Sequence, residues 1–554
     1  MARTVTADPR EATRSPLDVG GSADAFAGVW TLVRFMLRRD RVRLPAWALG
    51  LGVFVLYLST ALPSVYETEA ELRSAVGLFA DPVGRMLVGP AYGFDAASFE
   101  RFVANGYGLY FLILAALMSL LLVTRHTRVE EQTGRAELVR ANVVGRLALL
   151  TAALIVTLIT NLAVALVVGL AMVASGFAVE GSVLFAAGIA VTGLAFAGVS
   201  AVTVQLTEYS RAAAGIAGGV LGAAFVIRAG GDMAEVGGSA LSWVAPLAWA
   251  QQTAPFVLDR WWPLLLPLAF AVITSGIGYR LSTRRDLDAS LFAVRPGNAE
   301  APSWLGSPLT LAFRLGRASV LGWSAAMLAA GVAFGSFADA MVVAAEGMPE
   351  AFLELFGDGD MLVAGYLGYM AVFMAYLVGV YAILSVQSLR SEETSGRAEP
   401  VLATPVSRVA WLASHLVVTT AGVIVVLAMA GLGTGVGAAI VTGDVAHVWE
   451  LTAAHLNQVP AVLVVLGLAA LLFGLAPKLI ALSWITVGYA LLVGTFGALM
   501  DVPDAAFDLS PFEHAATMPV EGFAPTPAVV LAVLALIMGA LGLAGFRRRD
   551  LHGT

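Results

Sequence analysis

Twelve stretches of this chain are long and apolar enough to cross the roughly 30 Å hydrocarbon layer of a bilayer, which takes about 20 helical residues. Six lie near 43–62, 104–123, 147–174, 183–206, 212–228 and 262–280. Six more follow near 319–338, 364–386, 409–441, 460–476, 478–500 and 527–546. No other feature restricts the fold as severely. In lipid every backbone N–H and C=O must be satisfied within the segment, so apolar runs of this length are helices. Composition agrees: 59% of the 554 residues are hydrophobic and 13% charged, about half the charge of a soluble domain. The expectation is an all-α integral membrane protein. The segments 212–228 and 460–476 are short, and two adjacent segments could be re-entrant. The 409–441 run is long enough to be tilted or broken around Gly431, Gly433 and Gly435.

Arginine placement orients the spans, because loops retained in the cytoplasm are enriched in Lys and Arg. RFMLRRDRVR precedes the first span, and Arg125, Arg128, Arg135, Arg140 and Arg146 fall between the second and third. Arg280, Arg284 and Arg285 follow the sixth, and Arg547, Arg548 and Arg549 the twelfth. The stretch 501–526 carries Asp501, Asp504, Asp508, Glu513 and Glu521 and no basic residue. One topology satisfies all of this: both termini inside, in the cell (plasma) membrane. Residues 1–27 lack the apolar core of a signal peptide and are expected as a disordered cytoplasmic tail.

The charged segments repeat. EEQTGRAE at 130–137 returns as EETSGRAE at 392–399, and RRDL at 284–287 returns at 548–551. Pro246 in WVAPLAW corresponds to Pro511 in LSPFEH. The chain therefore reads as a first six-span half over 28–287, a cytoplasmic linker over 288–307, and a second six-span half over 308–554. Six is even, so both halves start on the same side. Such repeats are parallel, and a central pathway between them is the natural consequence.

Each octapeptide falls in the turn between the second and third span of its half. The two glutamates extend the preceding helix, Gly134 or Gly396 permits a tight reversal, and Arg-Ala-Glu begins the next segment. A solvated loop would need one such sequence, not two. A paired docking surface for a cytosolic partner accounts for both, with Arg128, Glu130, Glu131, Gly134, Arg135 and Glu137 in one copy and Arg390, Glu392, Glu393, Gly396, Arg397 and Glu399 in the other.

The pattern Arg-x-Glu-Glu-x-[Ser/Thr]-Gly-Arg-Ala-Glu, followed by Ala-Thr-Pro-Val-Ser-Arg at 403–408, resembles the permease subunits of ABC-2-type (type V) exporters. The doubled form resembles the fused actinobacterial permeases of polyketide antibiotic exporters, the tetronasin type, from about residue 28 onward. The first copy departs from it, with Ala-Asn-Val-Val-Gly-Arg at 141–146, so the two docking surfaces need not be equal. The resemblance implies an ATP-driven exporter of amphipathic or hydrophobic compounds. ATP and Mg would be bound by two copies of a separately encoded ATPase subunit, and this chain would hold no cofactor. The residues agree independently. A P-loop needs a lysine reaching the β/γ-phosphates, and the only lysine, Lys478 in GLAPKLI, has neither the required second glycine nor the hydroxyl residue after it.

Other segments carry weaker signals. GVWTLVRFMLRRDRVR (28–43) is amphipathic, with Trp30, Val33 and Met36 or Leu37 expected on one face, and suits an interfacial helix. The resemblance also implies such an elbow, and PLTLAFRLGRASV (308–320) is its expected counterpart. Outer segments 63–103 and 339–363 are expected to hold short packed helices. Tyr107, Tyr110 and Met118 of span two, with Tyr366, Tyr369, Met370, Phe373 and Met374 of span eight, are candidates for a substrate pathway, since aromatic and Met surfaces adapt to varied apolar ligands. Cys is absent and the six histidines are scattered, so no metal site and no catalytic residue are expected, nor any nucleic-acid partner. The alternative is a proton-coupled drug transporter of the major-facilitator type, also twelve spans in parallel halves. Its loop signature orders the charges differently, and a relay of membrane carboxylates is missing from the spans.

Overall fold

Each apolar run becomes a helix in the computed structural model, which describes residues 24–66, 68–135, 144–284, 300–344, 361–496 and 502–550. Twelve helices among them are long and apolar enough to cross a membrane. Spans one to six are Arg43–Val65, Gly108–Gln132, Ala148–Ala174, Val179–Leu206, Ser210–Ala234 and Trp262–Ser282. Spans seven to twelve are Pro308–Met341, Leu362–Thr394, Arg408–Thr442, Ala446–Leu475, Pro477–Thr495 and Pro525–Arg548. The expected tail up to residue 23, the linker over 288–299, and Glu137 lie outside the described residues.

The chain divides into two compact units, Met1–Leu72 with Phe79–Pro296, and Gly297–Thr554 with the short piece Arg73–Leu78. In the first unit span four packs on spans two, three, five and six, while span one runs along span three. In the second unit span ten packs on spans eight, nine and twelve, and span seven runs along span nine. The pairings one–three, two–four, three–four and four–six thus recur as seven–nine, eight–ten, nine–ten and ten–twelve. The sequence repeat has a three-dimensional counterpart.

Two expectations need correction. Span nine is one unbroken helix of 35 residues, so its glycines do not break it. They thin it on two faces. A Cβ on Gly433 or Gly437 would stand 2.3 Å from the Leu328 carbonyl oxygen or 2.2 Å from that of Val332, both on span seven. On Gly431 or Gly435 it would meet the Thr452 or Val448 backbone of span ten at 2.6 and 2.5 Å. Small residues let helices approach to backbone contact, the usual solution where lipid removes the hydrophobic drive for association.

The second correction concerns the elbows. In the first unit the amphipathic helix Val29–Arg39 is separate, and it buries Val29, Leu32, Val33 and Met36 against Ala148, Ala152 and Val156 of span three. Trp30 is not on that face; it is 67% exposed. The helix stops at Asp40, and span one begins at Arg43 with Pro45 in its first turn. A proline ring clashes with the carbonyl four residues back, here Arg41, which blocks continuous helix through this point. The counterpart 308–320 has no proline after Pro308 and does not form a separate elbow. It is the start of one helix, Pro308–Gly335, opened by a Ser307–Thr310 capping box.

Between spans one and two lie the short helices Glu69–Ala80, Pro82–Val88 and Phe99–Arg101, then the π-helical turn Phe102–Gly106. Of 339–363, residues 345–360 are outside the described residues.

Candidate functional site

Both octapeptides close the helix before them in the same way. Gly134 and Gly396 take φ of 69° and 71°, and their N–H groups donate to the carbonyls of Glu131 and Glu393 at 2.9 and 3.0 Å. Nothing lies within 4 Å of a Cβ at either position. Glycine is required here for its left-handed backbone, not for space.

The side chains of the two copies diverge. In the first, Arg128 is buried: its Nε and Nη2 donate to the Val204 carbonyl at 3.0 and 2.6 Å and its Nη1 to Glu131 Oε2 at 2.6 Å. Glu130 pairs with Arg39 at the end of the elbow helix. Asp40, buried at the elbow break, accepts from Arg125 Nε and Nη2 at 3.2 and 3.1 Å and lies 2.9 Å from His126 Nε2. The first octapeptide is thereby fastened to the elbow.

In the second copy, Arg397 donates Nε and Nη2 to the two oxygens of Glu392, both at 2.8 Å, and this hydrogen-bonded carboxylate raises the Arg397 guanidinium above its ordinary value. Glu393 accepts a fork from Arg549 at 2.6 and 2.7 Å, while the same guanidinium lies 5.2 and 4.9 Å from the ring centroids of Phe473 and Phe546. The second octapeptide is fastened to the last residues of span twelve. Arg146 and Arg408, one after each octapeptide, make matching ties, to the Thr283 carbonyl at 3.1 Å and the Arg549 carbonyl at 2.6 Å.

Of the residues expected on a docking surface, Arg128, Glu130, Glu131 and Glu393 are therefore turned inward, and Arg390 is half-buried. Arg135, Arg397 and Glu399 face outward with the partly exposed Glu392, and the two glycines shape the turns. Sequence reading did not foresee the parts played by Arg39, Asp40 and Arg549 in holding the turns. Their partners are up to 156 residues away, and the only signal was the recurrence of RRDL.

The aromatic and Met candidates are scattered. Met118, Tyr366, Met370 and Met374 are buried in helix packing. The Tyr366 hydroxyl donates to the Phe334 carbonyl at 2.9 Å, and Met374 Sδ accepts from Thr434 at 3.7 Å. Tyr107 packs on Phe102 at 5.4 Å between ring centroids, and Tyr110 is exposed. Tyr369 and Phe373 stack at 6.4 Å, and the Tyr369 hydroxyl donates to Thr495 Oγ1 at 3.0 Å. None of the eight lines the two apolar grooves beside span nine, of about 590 and 520 Å³.

At the end of the first unit away from its octapeptide, a polar network folds the residues after span five onto those before span two. Arg228 and Asp232 are fully buried and paired at 2.9 Å, and Ser242 donates to Asp232 at 2.5 Å. Arg85 donates to the Asp232 and Met233 carbonyls, both at 2.8 Å. The Tyr92 hydroxyl donates to Gln252 Oε1 at 2.6 Å, and burial pushes this phenol up, so it stays a neutral donor.

The corresponding stretch of the second unit behaves unexpectedly. Residues 508–518 do not arch away from the helices but lie against span eight: a Cβ on Gly368 would stand 3.1 Å from the Met518 carbonyl, and one on Gly379 3.8 Å from the Phe512 ring. Those glycines are separated by ~16 Å along the helix axis at 1.5 Å per residue. Phe512 stacks edge-on to Tyr376 at 4.8 Å, and Asn457 Nδ2 donates to the Ala516 carbonyl at 2.8 Å. A window of hydropathy cannot foresee such a path; only the match of LSPFEH to WVAPLAW hinted that this stretch is built rather than loose.

Among the described residues, twelve apolar helices in two like-packed units, with a charged turn in each, mark a multi-pass membrane protein. Comparison narrows this. The family model described as "Multidrug efflux system permease Rv1217c, C-terminal domain" matches residues 31–281 and 305–547, one stretch in each unit, and the chain belongs to that family. It is also 34% identical over 533 residues to the multidrug efflux system permease protein Rv1217c of Mycobacterium tuberculosis (strain ATCC 25618 / H37Rv), covering 95% of this chain and 96% of the relative.

Proposed function

We propose that this chain is the membrane permease of an ATP-driven ABC exporter of the ABC-2 type, moving amphipathic and hydrophobic compounds, antibiotics among them, out of the cell. The observation that carries the reading is the pair of octapeptide turns, alike in backbone and placed identically in each unit, in a family whose characterised name is multidrug efflux. Two separately encoded ATPase subunits, binding ATP and Mg, dock there, one per turn. They contact the outward groups Arg135 and, in the second copy, Glu392, Arg397 and Glu399. The inward ion pairs pass their motion to the helices, through the elbow in one unit and through the end of span twelve in the other. In this reading the octapeptide ends and both termini are cytoplasmic.

The test is a reconstituted complex of this chain with a co-purifying ATPase subunit. Amphipathic drugs should stimulate ATP hydrolysis, and export from vesicles should persist when the proton gradient is dissipated at constant ATP. Export that collapses with the gradient and ignores ATP would return the major-facilitator alternative to favour.

A further inference from the structure

Glu513 carries the inference. Topology would leave it in a solvated loop, yet the non-helical stretch that bears it is laid along span eight beside Tyr376. Tyr376 lies 14 residues from Leu362 and 14 from Arg390, hence ~21 Å from each at 1.5 Å per residue, near the middle of the span. The Tyr376 hydroxyl and Glu513 Oε1 converge on a missing side chain: a Cβ on Gly494 would stand 2.1 Å from the first and 3.0 Å from the second. Phe373 and Tyr369 stand about one and two turns away on the same helix. Among the described residues Glu513 makes no hydrogen bond or ion pair through its side chain, and it is not sealed in but exposed. The neighbouring His514 is engaged elsewhere, its Nε2 2.9 Å from the Asp508 carbonyl. The equivalent stretch of the first unit has Ala248 two residues after Pro246, where the second has Glu513 two after Pro511.

Irregular backbone at membrane depth is tolerated only when buried in protein or lining a cavity, and an ionisable side chain at that depth is costly unless it has a partner. An exposed carboxylate there is stabilised by a cation that arrives and leaves, and tyrosine faces attract the same ligand through their π-electrons. We propose that Glu513, with the half-buried Tyr369 and Phe373, forms a recognition subsite for the charged end of cationic amphiphiles, behind which the fully buried Tyr376 packs on Phe512. This deepens the exporter reading by naming a substrate class.

The test uses two probes of the same shape and opposite charge, tetraphenylphosphonium and tetraphenylborate, with equilibrium binding measured on the purified full chain in detergent. The wild type should bind the cation at least about tenfold more tightly than the anion. Glu513→Gln should lose that preference and Glu513→Asp keep most of it, with unchanged elution on size-exclusion chromatography. Equal affinity of the wild type for both ions overturns the subsite without recourse to any variant, as does a cation preference that survives in Glu513→Gln. Binding needs no ATPase. A chain that binds the cation through Glu513 but exports nothing from ATP-fuelled vesicles therefore leaves the subsite standing and removes the exporter reading instead.

Discussion

Adjacent glutamates of the second octapeptide should respond very differently to loss of charge. Glu393 receives two hydrogen bonds from Arg549, at 2.6 and 2.7 Å, and the side chains are 7% and 13% exposed. In Glu393→Gln one oxygen becomes an amide NH₂ facing a guanidinium N–H. One charge-assisted bond is lost, the other keeps its charged donor but loses its charged acceptor, and the arginine keeps its charge in a largely dry site. A hydrogen bond to a charged group is worth about 1.5–3 kcal/mol, and breaking a buried pair from one side costs ~3–5 kcal/mol. Arg549 retains some solvent and its two aromatic faces, which places the cost at about 2–3 kcal/mol. Glu392 makes an equally good fork with Arg397, but with 24% and 55% of the side chains exposed. Such surface pairs are worth ~0–1 kcal/mol. The contrast is measured by equilibrium unfolding of each full-length variant in mixed micelles, followed by tryptophan fluorescence. Glu392→Gln should sit within ~1 kcal/mol of wild type and instead weaken drug-stimulated ATPase activity of the complex. Two variants of equal stability would refute the division between an inward clamp and an outward contact.

Other positions give sharper or blunter effects. Gly134→Ala and Gly396→Ala should each cost about 1–2 kcal/mol through the left-handed backbone, and asparagine at the same sites should recover part of it; equal stability of alanine and glycine forms would contradict the φ values. Asp232→Asn leaves Arg228 charged and buried without its carboxylate, and should lower stability by ~3–5 kcal/mol, whereas replacing both by apolar residues of similar size should cost much less. Gly433→Ala forces span nine away from the Leu328 carbonyl and should destabilise the protein, while Gly322→Ala, with nothing within 4 Å, should be neutral or mildly stabilising; both are read from the same unfolding curves.

Hydropathy located the spans because it sums over some 20 residues. The expected 147–174 run differs by one residue at its start from Ala148–Ala174, and the 409–441 run by one residue at each end from Arg408–Thr442. It misplaced starts where caps, not apolarity, set the boundary: span seven begins at Pro308 behind its Ser307 cap, and span ten begins in the polar AHVWELTAAHLN. The octapeptide glycines were legible because a left-handed turn is a local property. The fate of the glutamates was not, because Arg39 and Arg549 lie 91 and 156 residues from their partners. Trp30 was assigned to the wrong face because amphipathicity alone does not separate a face that meets protein from one that meets lipid. That the stretch bearing Glu513 lies against span eight follows from the path of an irregular segment, which no periodicity encodes.

The two turns also explain each other's differences. Glu130 and Glu392 are equivalent by the repeat, and in the first unit the partner, Arg39, comes from an elbow helix that Pro45 separates from span one. The second unit has no such proline, so the corresponding segment stays in line with span seven and brings no arginine to Glu392 among the described residues. Glu392 turns to Arg397 of its own octapeptide and stays partly exposed. One proline thus decides whether this glutamate is spent on an internal clamp or left near the surface. The first turn is tied to the elbow helix through Glu130 and Arg39, and the second to the end of span twelve through Glu393 and Arg549. The backbone of the motif repeats; its mechanical connections do not.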